Sequence, residues 1–172
     1  MAGKLWIKDD CLVPDRFIHI KYSGPDPLSV VKKISGDIKP FFHVSSSGTN
    51  NTKFLIDDVG DPIKFYSTWW VKIGLSNYSN IVINIKTQGS QTKRDGTGEF
   101  YLELHGDLET NFKGANVLLK PFWLMYSYLF YDRVRRSYLD KCRNQIMNFR
   151  NTIKEYYNIG TTTVPTADSA YG

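Results

Sequence analysis

The sequence lacks several features that would place it at once in a class of proteins. Its 172 residues include only two cysteines, too few for a disulfide-rich secreted scaffold. Glycine and proline number 13 and 7, which excludes a collagen-like or low-complexity chain. The first residues lack the apolar stretch of a signal peptide, and no run approaches the roughly 20 apolar residues of a membrane-spanning helix. These absences predict a soluble, cytoplasmic protein in which Cys11 and Cys142 are free thiols.

Motifs for catalysis and cofactor binding are also missing. No serine lies in a G-x-S-x-G elbow, and no glycine-rich loop of the P-loop or dinucleotide-binding type is present. The three histidines are spread over different predicted elements and do not have the spacing of a zinc site. The sequence therefore predicts no cofactor and no metal, and it favours a protein that is not an enzyme.

Aromatic residues are abundant, with 11 Tyr, 10 Phe and 4 Trp. They predict a large aromatic core, and the chain length fits one domain. We expect an N-terminal lead-in over residues 1–15, a single domain over 16–159 and a flexible tail over 160–172. The tail has no hydrophobic periodicity.

The order of hydrophobic patterns predicts an α+β fold. Alternating apolar and polar residues predict strands at 16–22, 53–58, 63–75, 81–88 and 99–112. Asp26 and Pro27 predict the cap and first turn of a short helix after the first strand. Because the later strands are joined by short turns, we expect antiparallel pairing in a curved sheet of about five strands.

A helical period replaces the alternation from 117 to 157. Apolar residues recur there in steps of three and four, which predicts a long amphipathic helix packed on the sheet. The stripe that includes Trp123 and Tyr126 has a different azimuth from the stripe that includes Cys142 and Ile146. We therefore expect a bend or break near residues 131–135.

This order of elements, over roughly residues 16–157, resembles the helix-grip domains of the START and polyketide-cyclase-like superfamily. The segments DRFIHIKYSGPDP, WWVKIGL, GDLETNF and FYDRVRRSYL also resemble uncharacterised archaeal proteins. The superfamily resemblance implies a curved sheet that grips the C-terminal helix and encloses an apolar ligand, and a few members of that superfamily are enzymes. It transfers no functional residue to this chain.

The first functional hypothesis is a non-enzymatic, intracellular binding protein. It would hold an apolar or aromatic small ligand between the sheet and the C-terminal helix. The residues that would line this site are Phe65, Trp69, Tyr126, Phe130 and Tyr138. Arg135 would anchor a polar end of the ligand, or would pair with a carboxylate such as Asp107 or Glu109, because an unpaired buried charge is costly. Trp69 and Trp70 point to opposite faces of one predicted strand, so one of them should enter the core. The other, like the aromatic residues of the 122–126 run, must either be covered by another part of the protein or lie exposed where a protein partner can bind.

The alternative hypothesis is RNA or ribonucleoprotein binding. Residues 133–154 contain seven basic residues and one acid, although the whole chain has a net charge of only +5. Those expected to form a basic helix edge are Arg133, Arg136, Arg143, Arg150 and Lys154. Such an edge attracts phosphates, and the tyrosines between the arginines can stack on bases. A solvated helix face explains the same pattern.

A third, enzymatic hypothesis rests on Glu103, His105 and Asp107, which alternate along one predicted strand and share a face. Histidine and carboxylate side chains can act as general bases or bind metals. One extended strand is expected to hold these groups too far apart for a compact site. A polar, solvent-facing side of the sheet is the other interpretation of this pattern.

Overall fold

The computed structural model describes residues 3–115, 119–129 and 131–160 and shows an α+β fold. An antiparallel sheet of six strands carries three α-helices. The strands are β1 (Gly3–Asp10), β2 (Ile18–Pro25), β3 (Thr49–Asp57), β4 (Ile63–Gly74), β5 (Ser79–Gln91) and β6 (Thr97–Ala115). The helices are α1 (Ser29–Phe42), α2 (Lys120–Leu129) and α3 (Asp132–Tyr156), and a 3₁₀ turn lies at Ser46–Gly48.

The long strand β6 organises the sheet, whose order is β1-β6-β5-β4-β3. One edge of β6 pairs with β5, and its other edge pairs with β2 and then with β1. Leu104 of β6, for example, lies between Ile18 of β2 and Ile85 of β5. Strand β3 forms the opposite edge of the sheet, beside β4.

Strand β1 adds a sixth strand to the sheet of about five that was expected, and it lies in the segment expected to be an N-terminal lead-in. Its sequence, GKLWIKDD, ends in three charged residues and has only a brief alternation. Pairing with β6 holds this segment extended, from Asp10 opposite Asp107 to Gly3 opposite Ala115. The strand therefore depends on a partner about 100 residues away in the chain, which no local pattern reveals.

One face of the sheet carries the core. Helices α1 and α3 pack there through apolar stripes at helical spacing, and inward residues of β4, β5 and β6 complete the core. The two helices meet at Phe149, whose ring lies 5.2 Å from that of Phe41 and 5.1 Å from that of Phe42. The buried helix residues are Val30, Ile34, Ile38, Phe42, Cys142, Ile146, Phe149 and Ile153.

The start of α1 differs from the expected Asp26 cap. Asp26 has a φ of 49°, in the left-handed region, and the helix begins at Ser29 without a side-chain cap. Asp26 acts through its backbone instead, because its carbonyl oxygen accepts a hydrogen bond from the Ser29 hydroxyl at 2.8 Å. The prediction of a carboxylate cap was wrong for this reason.

The C-terminal helical region is broken where its two apolar stripes disagree. Helix α2 ends at Leu129 and α3 begins at Asp132, which confirms the expected break. Phe130, a predicted ligand contact, lies outside the described residues. The segment 161–172, most of the expected tail, lies outside them too. No helix within the described part of the chain combines the length and the apolar character needed to cross a membrane.

The two cysteines form a disulfide bond, so the expectation of free thiols was wrong. They are 131 residues apart in sequence, and their spacing carries no sign of their proximity. Cys11 follows β1, and its N–H donates to the carbonyl oxygen of Gly106 at 2.9 Å. Helix α3 crosses the sheet at the same point, because a side chain at Gly106 would meet Ile146 and Cys142. The disulfide thus joins the first strand to the last helix across β6.

Candidate binding surfaces

The face of the sheet opposite the helices carries the His105 pair. His105 Nδ1 donates to the carbonyl oxygen of Arg16 at 2.8 Å, and Nε2 lies 3.1 Å from Asp107 Oδ2. The imidazole also lies 5.1 Å from the ring of Phe17. Asp107 Oδ2 is 2.9 Å from Lys8 Nζ, so the buried carboxylate holds an ion pair with β1 as well.

This arrangement suits anchoring better than catalysis. His105 and Asp107 come closer together than one extended strand was expected to bring them. However, both ring nitrogens of His105 already contact protein oxygens, those of the Arg16 carbonyl group and of Asp107, as expected of a residue that holds two segments together. Glu103 turns away to Lys86 and His19, at 3.9 Å and 4.0 Å. Within the described ranges, no three His, Cys, Asp or Glu side chains cluster as metal ligands would.

The structure does not bring the predicted ligand contacts into one cavity. Phe65 and Trp69 are core residues that border two different surface cavities, and Tyr126 borders a third. Tyr138 is half-buried and packs against the edge of the core. Between the sheet and α1 and α3, the interior is occupied by the aliphatic and phenylalanine side chains of the core.

Arg135 is largely buried, with its side chain 15% exposed. Its Nε lies 3.5 Å from Asp9 Oδ2, and its Nη2 lies 3.9 Å from Asp132 Oδ1. Its guanidinium also lies over the ring of Tyr128, 5.6 Å from the centroid. The expectation of a carboxylate partner is confirmed, but the partners are not Asp107 or Glu109, because β1 brings Asp9 to α3.

The basic residues of α3 are mostly engaged within the protein. Arg136 pairs with Asp132 at 2.9 Å, and Arg143 donates to the carbonyl oxygens of Cys11 and Val13. Arg150 contacts Met147, and Lys154 donates to the carbonyl oxygen of Gly160. Burial, and then the nearby charge of Arg150, lower the pKa of Lys154 below its usual range. Arg133 is exposed on the first turn of α3.

An aromatic cavity of about 400 Å³ lies where α2 meets the turn before β5. The residues that line it are Tyr78, Leu119, Phe122, Trp123 and Tyr126. Buried Phe112 of β6 supports two of them, with its ring stacked on Trp123 at 5.1 Å and 5.4 Å from Tyr78. The Asn111 N–H donates to the Tyr78 carbonyl oxygen at 2.7 Å and fixes the turn. We call this site the aromatic cavity.

Apolar surface continues beyond the aromatic cavity over most of α2. Phe122 and Leu129 are 65% and 67% exposed, and other large apolar residues of the helix are exposed as well. The ten residues of α2 include no acid and one lysine. A surface helix normally turns a polar face to solvent. An apolar patch of this kind marks an interaction site.

Comparisons with known proteins assign no family to this chain. No family description matches it, and no curated protein is significantly similar. One solved structure found in the comparison is the Mll3558 protein from Rhizobium loti, with 10% sequence identity over 83% of this chain and 99% of that one. Its TM-score is 0.16, so this likeness supports neither a fold nor a function.

Sequence reasoning found part of the aromatic cavity and missed the rest. The 122–126 run stood out because large aromatic side chains in an expected helix had no assigned partner. Tyr78 gave no signal, because only the β5–β6 register places its turn against α2.

Proposed function

We propose that the protein is a non-enzymatic binding protein that holds an apolar or aromatic small ligand in the aromatic cavity. The observation that carries this proposal is the cavity itself, whose described lining consists of one leucine and four aromatic side chains. Its volume of about 400 Å³ is within the range of roughly 300–1,000 Å³ typical of small-molecule sites.

The cavity modifies the site expected from the sequence. It lies between α2 and the turn before β5, and not between the sheet and the long C-terminal helix, where the sequence placed the ligand. Of the expected contacts, Tyr126 remains in the site. The ligand would pack in part against the Trp123 and Tyr78 rings, which already contact Phe112, so these two side chains would need little ordering on binding.

The outer face of the sheet supports the non-enzymatic part of the proposal. There, His105 is held by the Arg16 carbonyl oxygen and by Asp107, which favours a structural role. Among the residues that the structure describes, the lining of the aromatic cavity includes no acid, histidine or cysteine. Shape and apolar contact are therefore what this cavity offers a ligand.

Binding of the fluorescent probe 1-anilinonaphthalene-8-sulfonate to the full chain tests the site. We expect Phe122→Ala to weaken binding of the probe by about tenfold, because it removes a large apolar contact from the lining. Leu129→Ala is the matched control, since Leu129 is equally exposed on the same helix but outside the lining. Equal effects of the two substitutions would show that the probe binds the general apolar surface and would overturn the proposed site.

Native mass spectrometry of the protein purified from its own cells at low salt tests the natural ligand. The proposal expects a discrete small-molecule mass that is bound to the wild type and lost from Phe122→Ala. A ligand retained equally by both proteins would place the binding site elsewhere.

RNA binding is a second candidate, favoured by the exposure of Arg133, Arg136 and Arg143 on α3. The hydrogen bonds that Arg143 donates go to backbone carbonyl groups, which are neutral and therefore do not cancel its positive charge. Nucleic acid that co-purifies at low salt and is lost from an Arg133→Gln/Arg136→Gln double variant would support this candidate. Absorbance near 260 nm that is unaffected by salt and nuclease would reject it.

A further inference from the structure

A second cavity lies on the other side of the molecule, between α1 and the β3–β4 edge of the sheet. It has a volume of about 250 Å³ and shares no residue with the aromatic cavity. The residues that line it are Ser35, Ile38, Lys39, Ser46, Thr49, Asn50, Asn51 and Trp69. We call it the Trp69 cavity.

The walls of the Trp69 cavity divide into a buried apolar part and a polar rim. Ile38 and Trp69 are 2% and 4% exposed and form the buried part. The rim consists of hydroxyl, amide and ammonium groups, and Lys39 Nζ donates to Ser46 Oγ there at 3.1 Å. As far as the chain is described, the lining contains one positive charge and no acid. Its electrostatic preference is therefore for an anion.

Trp69 provides the second observation. Its indole Nε1 is buried and has no hydrogen-bond acceptor among the described residues. Buried tryptophan N–H groups usually have an acceptor, because an unpaired donor is costly away from water. Neighbouring polar groups are already paired: Asn51 donates to Ser67 at 2.9 Å, and Thr49 donates to the Trp70 carbonyl oxygen at 2.8 Å. Trp69 thus combines a buried donor that has no acceptor among the described residues with a side chain that borders a cavity carrying a lysine.

We propose that the Trp69 cavity binds a small oxyanion, either a carboxylate or a phosphate group. The anion would accept hydrogen bonds from the Lys39 ammonium and from the Trp69 N–H, and any apolar part of the molecule would pack on Ile38. Charge-assisted hydrogen bonds of this kind are stronger than neutral ones, and a single lysine recognises either anion as a point charge.

Proton–nitrogen correlation NMR of the ¹⁵N-labelled full chain tests the proposal. The indole signal of Trp69 is identified by its loss in Trp69→Phe. Sodium propionate and sodium phosphate are titrated separately, with sodium chloride at matched ionic strength. We expect a saturable shift of the Trp69 indole signal with at least one of the two oxyanions and none with chloride, and the two arms show which anion class binds. A shift that never saturates, or one that chloride reproduces, would overturn the proposal.

Substitutions of two lysines on α1 test whether the oxyanion binds in the Trp69 cavity. Lys39→Met should weaken oxyanion binding by about tenfold, because it removes the charged donor. Lys32→Met is the control, since Lys32 is exposed on the same helix but outside the lining, and it should leave binding unchanged. Asn50→Asp is a second variant at an exposed rim position, and its added negative charge should also weaken binding. Equal weakening by Lys32→Met and Lys39→Met would show a nonspecific charge effect and overturn the site.

The test is independent of the function proposed above. The Phe122→Ala variant should bind oxyanions like the wild type, and Lys39→Met should bind the fluorescent probe like the wild type. Failure at one cavity therefore leaves the other proposal standing.

Discussion

Arg135 shows how one buried cation ties two distant segments together. Its guanidinium is enclosed by Asp9 of β1, Asp132 of its own helix and the ring of Tyr128. Removing one partner of a buried pair leaves a charge without compensation, which costs more than the pair itself contributes.

We predict that Asp9→Asn lowers the free energy of unfolding by about 1–3 kcal/mol, because Asp132, at a longer distance, is then the one carboxylate left beside Arg135 among the described residues. Asp140→Asn is the control, since Asp140 is exposed on α3, and it should change stability by less than about 0.5 kcal/mol. Urea unfolding of the two variants gives both values. Equal stabilities would mean that Asp9 does not hold Arg135.

Tyr157 is the titratable group that the fold perturbs most clearly. Its hydroxyl lies 2.8 Å from Ser29 Oγ, and its ring packs on Tyr22 and Phe100. Burial raises the pKa of Tyr157 to about 12. Because the folded state holds the proton more tightly than the unfolded chain, this contribution to stability is complete below about pH 10 and is lost as pH rises toward 12.

We therefore predict that Tyr157→Phe loses less stability than the wild type between pH 8 and pH 11. At pH 8 the variant should be less stable by about 1 kcal/mol, because it lacks the hydrogen bond to Ser29. Urea unfolding at both pH values measures the difference. The exposed neighbour Tyr156 supplies the control, and Tyr156→Phe should follow the wild type. The same loss in all three proteins would argue against a perturbed Tyr157.

At the scale of elements, the close approach of α3 to β6 requires a glycine. A Cβ at Gly106 would overlap Ile146 Cδ1 and lie 3.2 Å from the Cys142 sulfur, and Ile146 is fully buried. Gly36, in the exposed part of α1, has nothing within 4 Å of the same position.

The two glycines should consequently respond to alanine with opposite signs. Gly106→Ala should destabilise the fold by about 1–3 kcal/mol through overpacking. Gly36→Ala should stabilise it by about 0.5–1 kcal/mol, since alanine favours a helix interior over glycine. Thermal and urea unfolding report both changes. Stabilisation by Gly106→Ala would mean that α3 can move away from β6 without cost.

The elements that could be predicted are those whose pattern is local. Strands β4, β5 and β6 alternate over long stretches, and α3 repeats at helical spacing, so their type and approximate bounds follow from the sequence. Strand β1 and the aromatic cavity depend on contacts between distant residues. The position of Tyr78 against α2, for example, is set by the pairing of β5 with β6. Phe122 could be marked as unpartnered, but its neighbours across the cavity could not be named.

At the scale of the whole molecule, the disulfide encloses most of the chain. Cys11 and Cys142 bracket β2 to β6, α1 and α2, so the bond limits the freedom of 131 residues in the unfolded state. In the chain-entropy model a loop of this length contributes about 5 kcal/mol. Both sulfurs are buried at the point where β1, β6 and α3 meet, which protects the bond from thiols in solution.

We predict that the Cys11→Ala/Cys142→Ala variant unfolds at a lower urea concentration than the oxidised wild type, with a loss of about 3–5 kcal/mol. Alanine at both sites keeps the apolar character of the contact with Gly106, so the loss reflects the missing cross-link more than a new polar group. A reductant should lower the stability of the wild type only after partial unfolding exposes the bond, and it should leave the double variant unchanged. Mass spectrometry after thiol alkylation identifies the bonded form. If the variant were as stable as the oxidised wild type, β1 would be held to the sheet by its pairing with β6 and by the Asp9–Arg135 pair alone.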